Sequence, residues 1–364
     1  MSIQCKILFV LPHFRTGGAE RVLINILNHL DNNDFDVHLC VINREGELRG
    51  SVADHVEIHD LNLKRTIHSV RPLYRLVNQL KPDVVFSTLA RCNLLVSFLS
   101  LCRFIRTKVI IREANTPSAD MAKFKHAWLY RLLYRVLYRR ADIIICQTNV
   151  MRDDLINHFG VPSEKAITIY NPVDVDRVRE KFRSSESPFS SATNIVACGK
   201  LDHQKGFDIL LDAFSKVKKQ SGDVVLTIVG EGDNRIALED QIDSLNLRDS
   251  VVMPGFKTNP YAYIGNANLF VLSSRWEGLP NVVLEAFALG IPVIAFDCEG
   301  GMKEIIIPAV NGILVPKESA EQLADAIIGQ LKSPQTFDYD ESLNKFSLKS
   351  VVQQYADTIQ SLVP

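Results

Sequence analysis

The sequence predicts an α/β protein built from two doubly wound, parallel-sheet domains, and three observations carry that prediction. Short β-branched runs alternate with amphipathic stretches along the chain, and crossover connections of that kind produce parallel sheets with helices on both faces. The runs are apolar at consecutive positions, as in Ile143-Ile144-Ile145 and Val224-Val225-Leu226, as strands buried on both faces require. The alternation breaks once, over residues 172–193, and then restarts. A length of 364 residues suits two domains with a core each. A hydrophobic fraction of 46% with 23% charged residues excludes disorder, and 18 glycines exclude a collagen-like repeat.

In the first domain, residues 1–171, the strand-like runs are Lys6–Pro12, Asp36–Ile42, Val56–Leu61, Asp83–Leu89, Lys108–Ala114, Asp142–Thr148 and Ala166–Tyr170. Between the first two, Val22, Leu23, Ile26, Leu27 and Leu30 recur at helical spacing within Ala19–Leu30. Residues 172–193 are rich in serine and charge and read as a linker. The second domain, residues 194–345, repeats the pattern with Asn194–Gly199, Val224–Gly230, Ser250–Phe256, Leu269–Ser274, Pro292–Asp297 and Gly312–Val315. The last stretch, residues 346–364, is amphipathic over Leu348–Leu362 and is free to pack back on the first domain.

Seven cysteines show no CxxC or zinc-ligand spacing, so reduced, buried thiols in a cytosolic protein are expected. The N-terminal residues lack a signal-peptide layout, and the longest apolar stretch, Asn93 to Cys102, is half a membrane span. Charge is divided unevenly: residues 1–170 hold 23 Lys/Arg against 16 Asp/Glu, and residues 171–364 hold 18 against 26. A basic half beside an acidic half suggests that one face meets an anionic surface, with a chance imbalance as the alternative.

Three loops carry chemistry. After the first strand, Gly17-Gly18-Ala19-Glu20 leads into a helix, so backbone amides can approach a phosphate or sugar hydroxyl there. A tight structural turn explains the same residues, and this is not the GxGxxG fingerprint of nicotinamide cofactors. The second domain opens with Gly199-Lys200-Leu201-Asp202-His203-Gln204-Lys205-Gly206, placed where open α/β sheets bind ligands. Lys200 and Lys205 suit a diphosphate or are two solvated lysines. The strongest signal is Glu277-Gly278-Leu279-Pro280-Asn281-Val282 with Glu285 beyond it. Pro280 stands where a first-turn proline starts a helix, so amides near Asn281 and Val282 can face an anion. Glu285 lies within an apolar stretch, where a carboxylate needs a partner.

Glu277 and Glu285 form the E-x7-E pattern of retaining glycosyltransferases with two Rossmann-like domains, the GT-B fold, and the wider sequence resembles glycosyltransferase family 4. Gly17-Gly18-Ala19-Glu20-Arg21, Gly199-Lys200-Leu201, Gln204-Lys205-Gly206, Val229-Gly230-Glu231-Gly232, Glu277 to Asn281 and Gly290-Ile291-Pro292-Val293 all fall in family order, covering Lys6 to about Leu331. The resemblance implies two domains facing a central cleft, the first binding the acceptor and the second a UDP-sugar donor. It implies that Glu277 meets the transferred sugar, that Glu285 holds the ribose, and that Lys200 and Lys205 hold the diphosphate. Gly17, Gly18, Gly199, Gly230, Phe256, Gly278, Leu279, Pro280, Asn281 and Val282 would complete the donor site. Many members have arginine at Lys200, and lysine loses the bidentate fork. Many also carry a histidine after the fourth strand, where this chain reads Phe86-Ser87-Thr88-Leu89-Ala90-Arg91. With Arg112-Glu113-Ala114-Asn115, this looks like the subgroup acting on lipid-diphosphate-linked bacterial glycans, with Thr88, Arg91 and Glu113 on the acceptor side.

The segment Lys123–Arg140 speaks to that acceptor class independently. Arg131, Arg135 and Arg139 share one helical stripe, with Tyr130, Tyr134 and Tyr138 beside it. A basic amphipathic helix with interfacial aromatics can lie on an anionic bilayer, although solvated arginines beside core tyrosines fit the same spacing. The expectation is a metal-independent, cofactor-free transferase on the cytoplasmic face of the inner membrane. It uses a nucleotide-sugar donor and a lipid-linked glycan acceptor, and binds no nucleic acid. No DxD pair lies in the loops read as holding the diphosphate; Asp153-Asp154 starts a helix elsewhere. A nicotinamide dehydrogenase lacks its fingerprint here, a nucleotide-sugar epimerase has no use for the basic helix, and a non-catalytic glycan-binding protein is the third alternative.

Overall fold

A computed structural model describes residues 4–15, 17–101, 107–121, 126–189 and 193–363. All thirteen expected runs are strands: β1 Cys5–Leu11, β2 Phe35–Val41, β3 Glu57–Asp60, β4 Val84–Thr88, β5 Lys108–Arg112, β6 Ile143–Cys146, β7 Ala166–Thr168, β8 Thr193–Cys198, β9 Val224–Val229, β10 Val251–Gly255, β11 Leu269–Leu272, β12 Val293–Asp297 and β13 Ile313–Pro316. They form two sheets, ordered β3-β2-β1-β4-β5-β6-β7 and β10-β9-β8-β11-β12-β13. The central pairings β1–β2, β1–β4, β8–β9 and β8–β11 are parallel. These are two Rossmann-like sheets, as the sequence predicts.

In each sheet the strand order reverses beside its first strand, between β1 and β4 and between β8 and β11. The loops leaving those two neighbours turn to opposite faces and leave a crevice at the carboxyl ends of the strands. The glycine turn, the Lys200–Lys205 loop and the Glu277 loop all leave such strands.

The chain divides into two compact units, residues 1–172 with 348–364, and residues 173–347. The segment read as a linker therefore differs from expectation. It holds the helix Val175–Arg183, whose N-cap Asp174 accepts a 3.0 Å bond from the Arg177 amide. Val178 is buried, Arg179 Nε donates to the Ala288 carbonyl at 2.9 Å, and Phe182 packs against Gly265. Val175, Val178 and Phe182 share one helix face, and burying that face outweighs a charged composition. Residues 190–192 of the segment lie outside those described.

The final helix, Leu348–Gln360, belongs to the first unit. Val351, Tyr355 and Ile359 enter the core formed by β1, β2 and the helix Gly18–Asn28, and the Tyr355 ring lies 6.0 Å from that of Phe86. Cys5, Cys40, Cys92, Cys146 and Cys298 are buried free thiols, and Cys198 is half-buried. Burial pushes Cys92 and Cys298 up to about 12, which keeps them protonated and inert. Cys102 lies outside the described residues. No helix among the described residues is long and apolar enough to cross a membrane.

Candidate functional site

In the second unit, the switch-point crevice brings Lys205 to Glu277. Lys205 Nζ lies 2.5 Å from Glu277 Oε1, and Ser274 Oγ donates to the same oxygen at 2.6 Å. The two side chains are 19% and 7% exposed, so the pair is nearly dry. Burial pulls the Lys205 pKa down, but the charge and hydrogen bond of Glu277 outweigh it and hold it above the ordinary lysine value. Lys205 is a fixed cation at neutral pH.

The backbone around this pair is closely fitted. Gly206 follows Lys205 at φ +61, and a Cβ there would stand 2.1 Å from the Ser273 carbonyl oxygen. Ser273 Oγ donates to the Lys205 carbonyl at 2.9 Å, and Gln204 Nε2 to the Trp276 carbonyl at 3.0 Å. Arg275 clamps Asp208 with two bonds, 2.9 Å and 2.6 Å, and also reaches the His203 carbonyl at 2.8 Å. Burial raises the Asp208 pKa, but the Arg275 bonds prevail and hold it below the usual carboxylate value. Gly230 sits at φ +153, where a Cβ would meet the Gly199 carbonyl oxygen at 1.8 Å. Both positions need glycine.

Gly278, Leu279 and Pro280 are buried, and Asn281 and Val282 are half-buried at the start of the helix Asn281–Ala288. Pro280 is its N-cap, one residue before the expected first-turn position. Glu285 is half-buried, and its Oε1 accepts a 3.1 Å bond from Tyr261 Oη. Lys200 is not drawn into the pair: its side chain is 64% exposed, 3.9 Å from Asp202. Phe256 is exposed on the surface.

In the first unit, Gly17 caps the helix Gly18–Asn28 through its backbone, and Glu20 is buried beneath it. Burial pushes the Glu20 carboxyl upward, opposed by its own backbone amide and by Arg112. His13 Nδ1 lies 3.6 Å from Glu20, and burial lowers the histidine's pKa. Thr88 and Glu113, expected on the acceptor side, are buried. They join a polar network around Arg112, itself wholly buried. Arg112 donates to Thr88 Oγ1 at 3.2 Å, to Tyr355 Oη at 3.1 Å and to Asn171. Glu113 accepts from Tyr138 and, at 3.3 Å, from Asn93. Only Arg91 of the three is exposed. Between Thr88 and Arg91, Leu89 is held at φ 71, an outlier for a leucine, where the chain leaves β4 for the helix Ala90–Leu99.

The basic segment forms the helix Ala127–Leu137 with a turn of 3₁₀ helix to Arg140; Lys123 and Lys125 lie outside the described residues. Its tyrosines differ from expectation. Tyr134 and Tyr138 are buried, stacked 4.1 Å apart, and so are not interfacial. Their rings face the first unit's core, where Tyr138 reaches Glu113. The exposed apolar residues are Trp128, Leu129, Leu132 and Val136, beside exposed Arg131 and Arg135. Arg135 and Arg139 donate to the carbonyls of His158 and Gly160 at 3.3 Å and 2.9 Å, at the C-terminus of the helix Asn149–Phe159, a favourable place for cations.

Sequence reasoning gave no role to Ser274, the Arg275–Asp208 clamp, Tyr261 or Arg112. Arg275 and Asp208 were visible only as charges 67 positions apart, and no local spacing joins them.

Comparison with known proteins adds two family matches. Residues 16–177 match Glycosyltransferase Family 4, and residues 178–348 match the glycosyl transferases group 1. An uncharacterized glycosyltransferase of Methanocaldococcus jannaschii is 30% identical over 259 residues, 68% of this chain and 63% of that protein, under two thirds of its length. A Campylobacter jejuni enzyme is 27% identical over 322 residues, 85% of each chain; it is the N-acetylgalactosamine-N,N'-diacetylbacillosaminyl-diphospho-undecaprenol 4-alpha-N-acetylgalactosaminyltransferase. Among solved structures, Anabaena HepE with UDP and glucose superposes with a TM-score of 0.82 at 21% identity, covering 98% of this chain and 100% of that one. Sucrose-phosphate synthase of Thermosynechococcus elongatus gives 0.83 at 16% identity, covering 99% of both chains.

Proposed function

Since the chain belongs to glycosyltransferase family 4, we propose that it is a retaining transferase moving a hexose or N-acetylhexosamine from a UDP-sugar to a lipid-diphosphate-linked glycan. The setting is assembly of a bacterial surface polysaccharide or protein-linked glycan. The observation that carries the reading is the dry Lys205–Glu277 pair at the β8–β11 switch point. A cation and a carboxylate held together beside a helix N-terminus match what a sugar diphosphate needs. The phosphates require positive charge, and the sugar requires a hydrogen-bond acceptor for its hydroxyls.

In the proposed reaction the bond between the anomeric carbon and the UDP oxygen breaks. The acceptor hydroxyl oxygen bonds to that carbon on the same face, and its proton passes to the departing phosphate oxygen, leaving UDP. Lys205, exposed Lys200 and the amides near Asn281 and Val282 would stabilise the charge growing on the phosphate. That supply of positive charge is why no metal or other cofactor is invoked. Glu277 is assigned to the sugar, and Glu285, steadied by Tyr261, to the ribose.

The lipid-linked acceptor is supported by the Campylobacter relative's own substrate and by the helix Ala127–Leu137. Its exposed Trp128, Leu132 and Val136, with Arg131 alongside, suit a peripheral position on the cytoplasmic face of the inner membrane. The test is UDP release from a panel of UDP-sugars, with and without lipid-diphosphate glycans. Acceptor-dependent release of UDP from one donor supports the reading. Release by no donor overturns it in favour of a non-catalytic glycan-binding protein, and donor isomerisation without UDP release favours an epimerase.

A further inference from the structure

At the far edge of the first sheet, β2 and β3 pair in parallel with His38 opposite Glu57 and Cys40 opposite His59. This register places His38, Glu57 and His59 on one sheet face, because side chains alternate along a strand. His38 Nδ1 lies 3.0 Å from His59 Nε2; Glu57 Oε2 stands 3.3 Å from the first nitrogen and Glu57 Oε1 3.7 Å from the second. We propose that these three side chains form a binding site for one divalent transition-metal ion of the zinc type.

The distances carry the argument. Metal–nitrogen and metal–oxygen bonds of about 2.0–2.2 Å at tetrahedral angles put neighbouring ligand atoms roughly 3.3–3.6 Å apart. The two nitrogens stand just inside that edge, and each has a different Glu57 oxygen at about that length, so a small movement of the exposed carboxylate brings the set onto one ion. Two imidazoles and a carboxylate select zinc, nickel or copper; magnesium and calcium take oxygen ligands. Glu57 is exposed, so water can complete the coordination from its side.

A supporting group stands behind the ligands. His38 is buried, and Asp36 Oδ1 lies 3.2 Å from its Nε2, while Lys6 Nζ lies 3.2 Å from the other Asp36 oxygen. His38 Nε2 makes no hydrogen bond, so Asp36 stands beside it as a charge rather than as an aligned acceptor. A carboxylate behind a ligating histidine fixes the ring and raises its basicity. Without an ion, the nitrogens of His38 and His59 can be joined only by one ring donating to the other. The site is separate from the glycine turn after β1: Leu8 pairs with His38, three residues before Leu11 pairs with Val41 at the strand ends. An ion there would pin β3, a four-residue edge strand with three exposed positions.

The experiment uses the full chain after chelator treatment, titrated with zinc by calorimetry and with cobalt by visible absorption. One equivalent should bind at micromolar affinity or tighter, with a tetrahedral nitrogen–oxygen cobalt band and a raised Tm. His59→Ala and the exposed Glu57→Gln should each weaken binding at least tenfold, and Asp36→Asn roughly tenfold. The Tm of metal-free Glu57→Gln should match metal-free wild type. Absence of micromolar binding, equal binding by the variants, or cobalt–thiolate charge-transfer bands would each overturn the site.

Discussion

Replacing Lys205 by alanine tests the site through stability before any substrate is known. The substitution leaves the Glu277 carboxylate, 7% exposed, with Ser274 among its remaining donors. Removing one partner of a buried ion pair costs about 3–5 kcal/mol, mostly for the charge left behind. Lys205 is itself 19% exposed, so water can reach part of the vacated space and the low end, about 3 kcal/mol, is expected. The double variant Lys205→Met with Glu277→Gln strands no charge and should return to within about 1 kcal/mol of wild type. Trp276, next to Glu277 and one of two tryptophans, reports the second unit's urea unfolding in a Trp128→Phe background. In the same protein, losing the ammonium should weaken UDP binding roughly ten- to hundred-fold, the size of one charge-assisted hydrogen bond. If Lys205→Ala unfolds at the wild-type midpoint, or if the double variant is no more stable than the single, the stranded-charge reasoning is wrong. Unchanged UDP affinity by calorimetry would remove Lys205 from the donor site.

Three further outcomes are expected. Glu277→Gln should depress turnover while UDP affinity stays near wild type, and an unaltered turnover number would take it off the catalytic list. Asp208, held below its ordinary 3.8 by Arg275, should contribute stability that is present above that value and lost as pH falls through the lower folded pKa. Because Asp208 is 47% exposed, the loss in Asp208→Asn should stay under about 1 kcal/mol at pH 6 and shrink as pH falls below 3.8; a constant difference on acidification would exclude the ion pair as its cause. Trp128→Ser with Leu132→Ser should reduce binding to anionic vesicles more than Tyr134→Phe does, and Arg131→Gln should reduce its salt sensitivity. Equal vesicle binding by all variants would leave the exposed helix face an ordinary surface.

The sequence by itself determined the strands, the burial of the central ones on both faces and the loops that carry chemistry. Runs such as Ile143-Ile144-Ile145 have no polar face to expose, so only a covered parallel sheet accommodates them. That Gly206 and Gly230 sit against neighbouring backbone, where a Cβ has no room, is shown only by the structure. Which of two similar residues turns inward was decided only by tertiary structure. Lys200 and Lys205 are the same residue on one loop, yet Lys205 alone meets a carboxylate 72 positions away. The spacing of Arg131, Tyr134, Arg135 and Tyr138 fixes a helix but not the face that meets the core. The tyrosines are buried because Glu113 and Phe159 wait on that side, and Trp128 is left outside. His38 and His59 were unremarkable in the chain for the same reason. They meet through the pairing of β2 with β3, and strand register is a property of the assembled sheet.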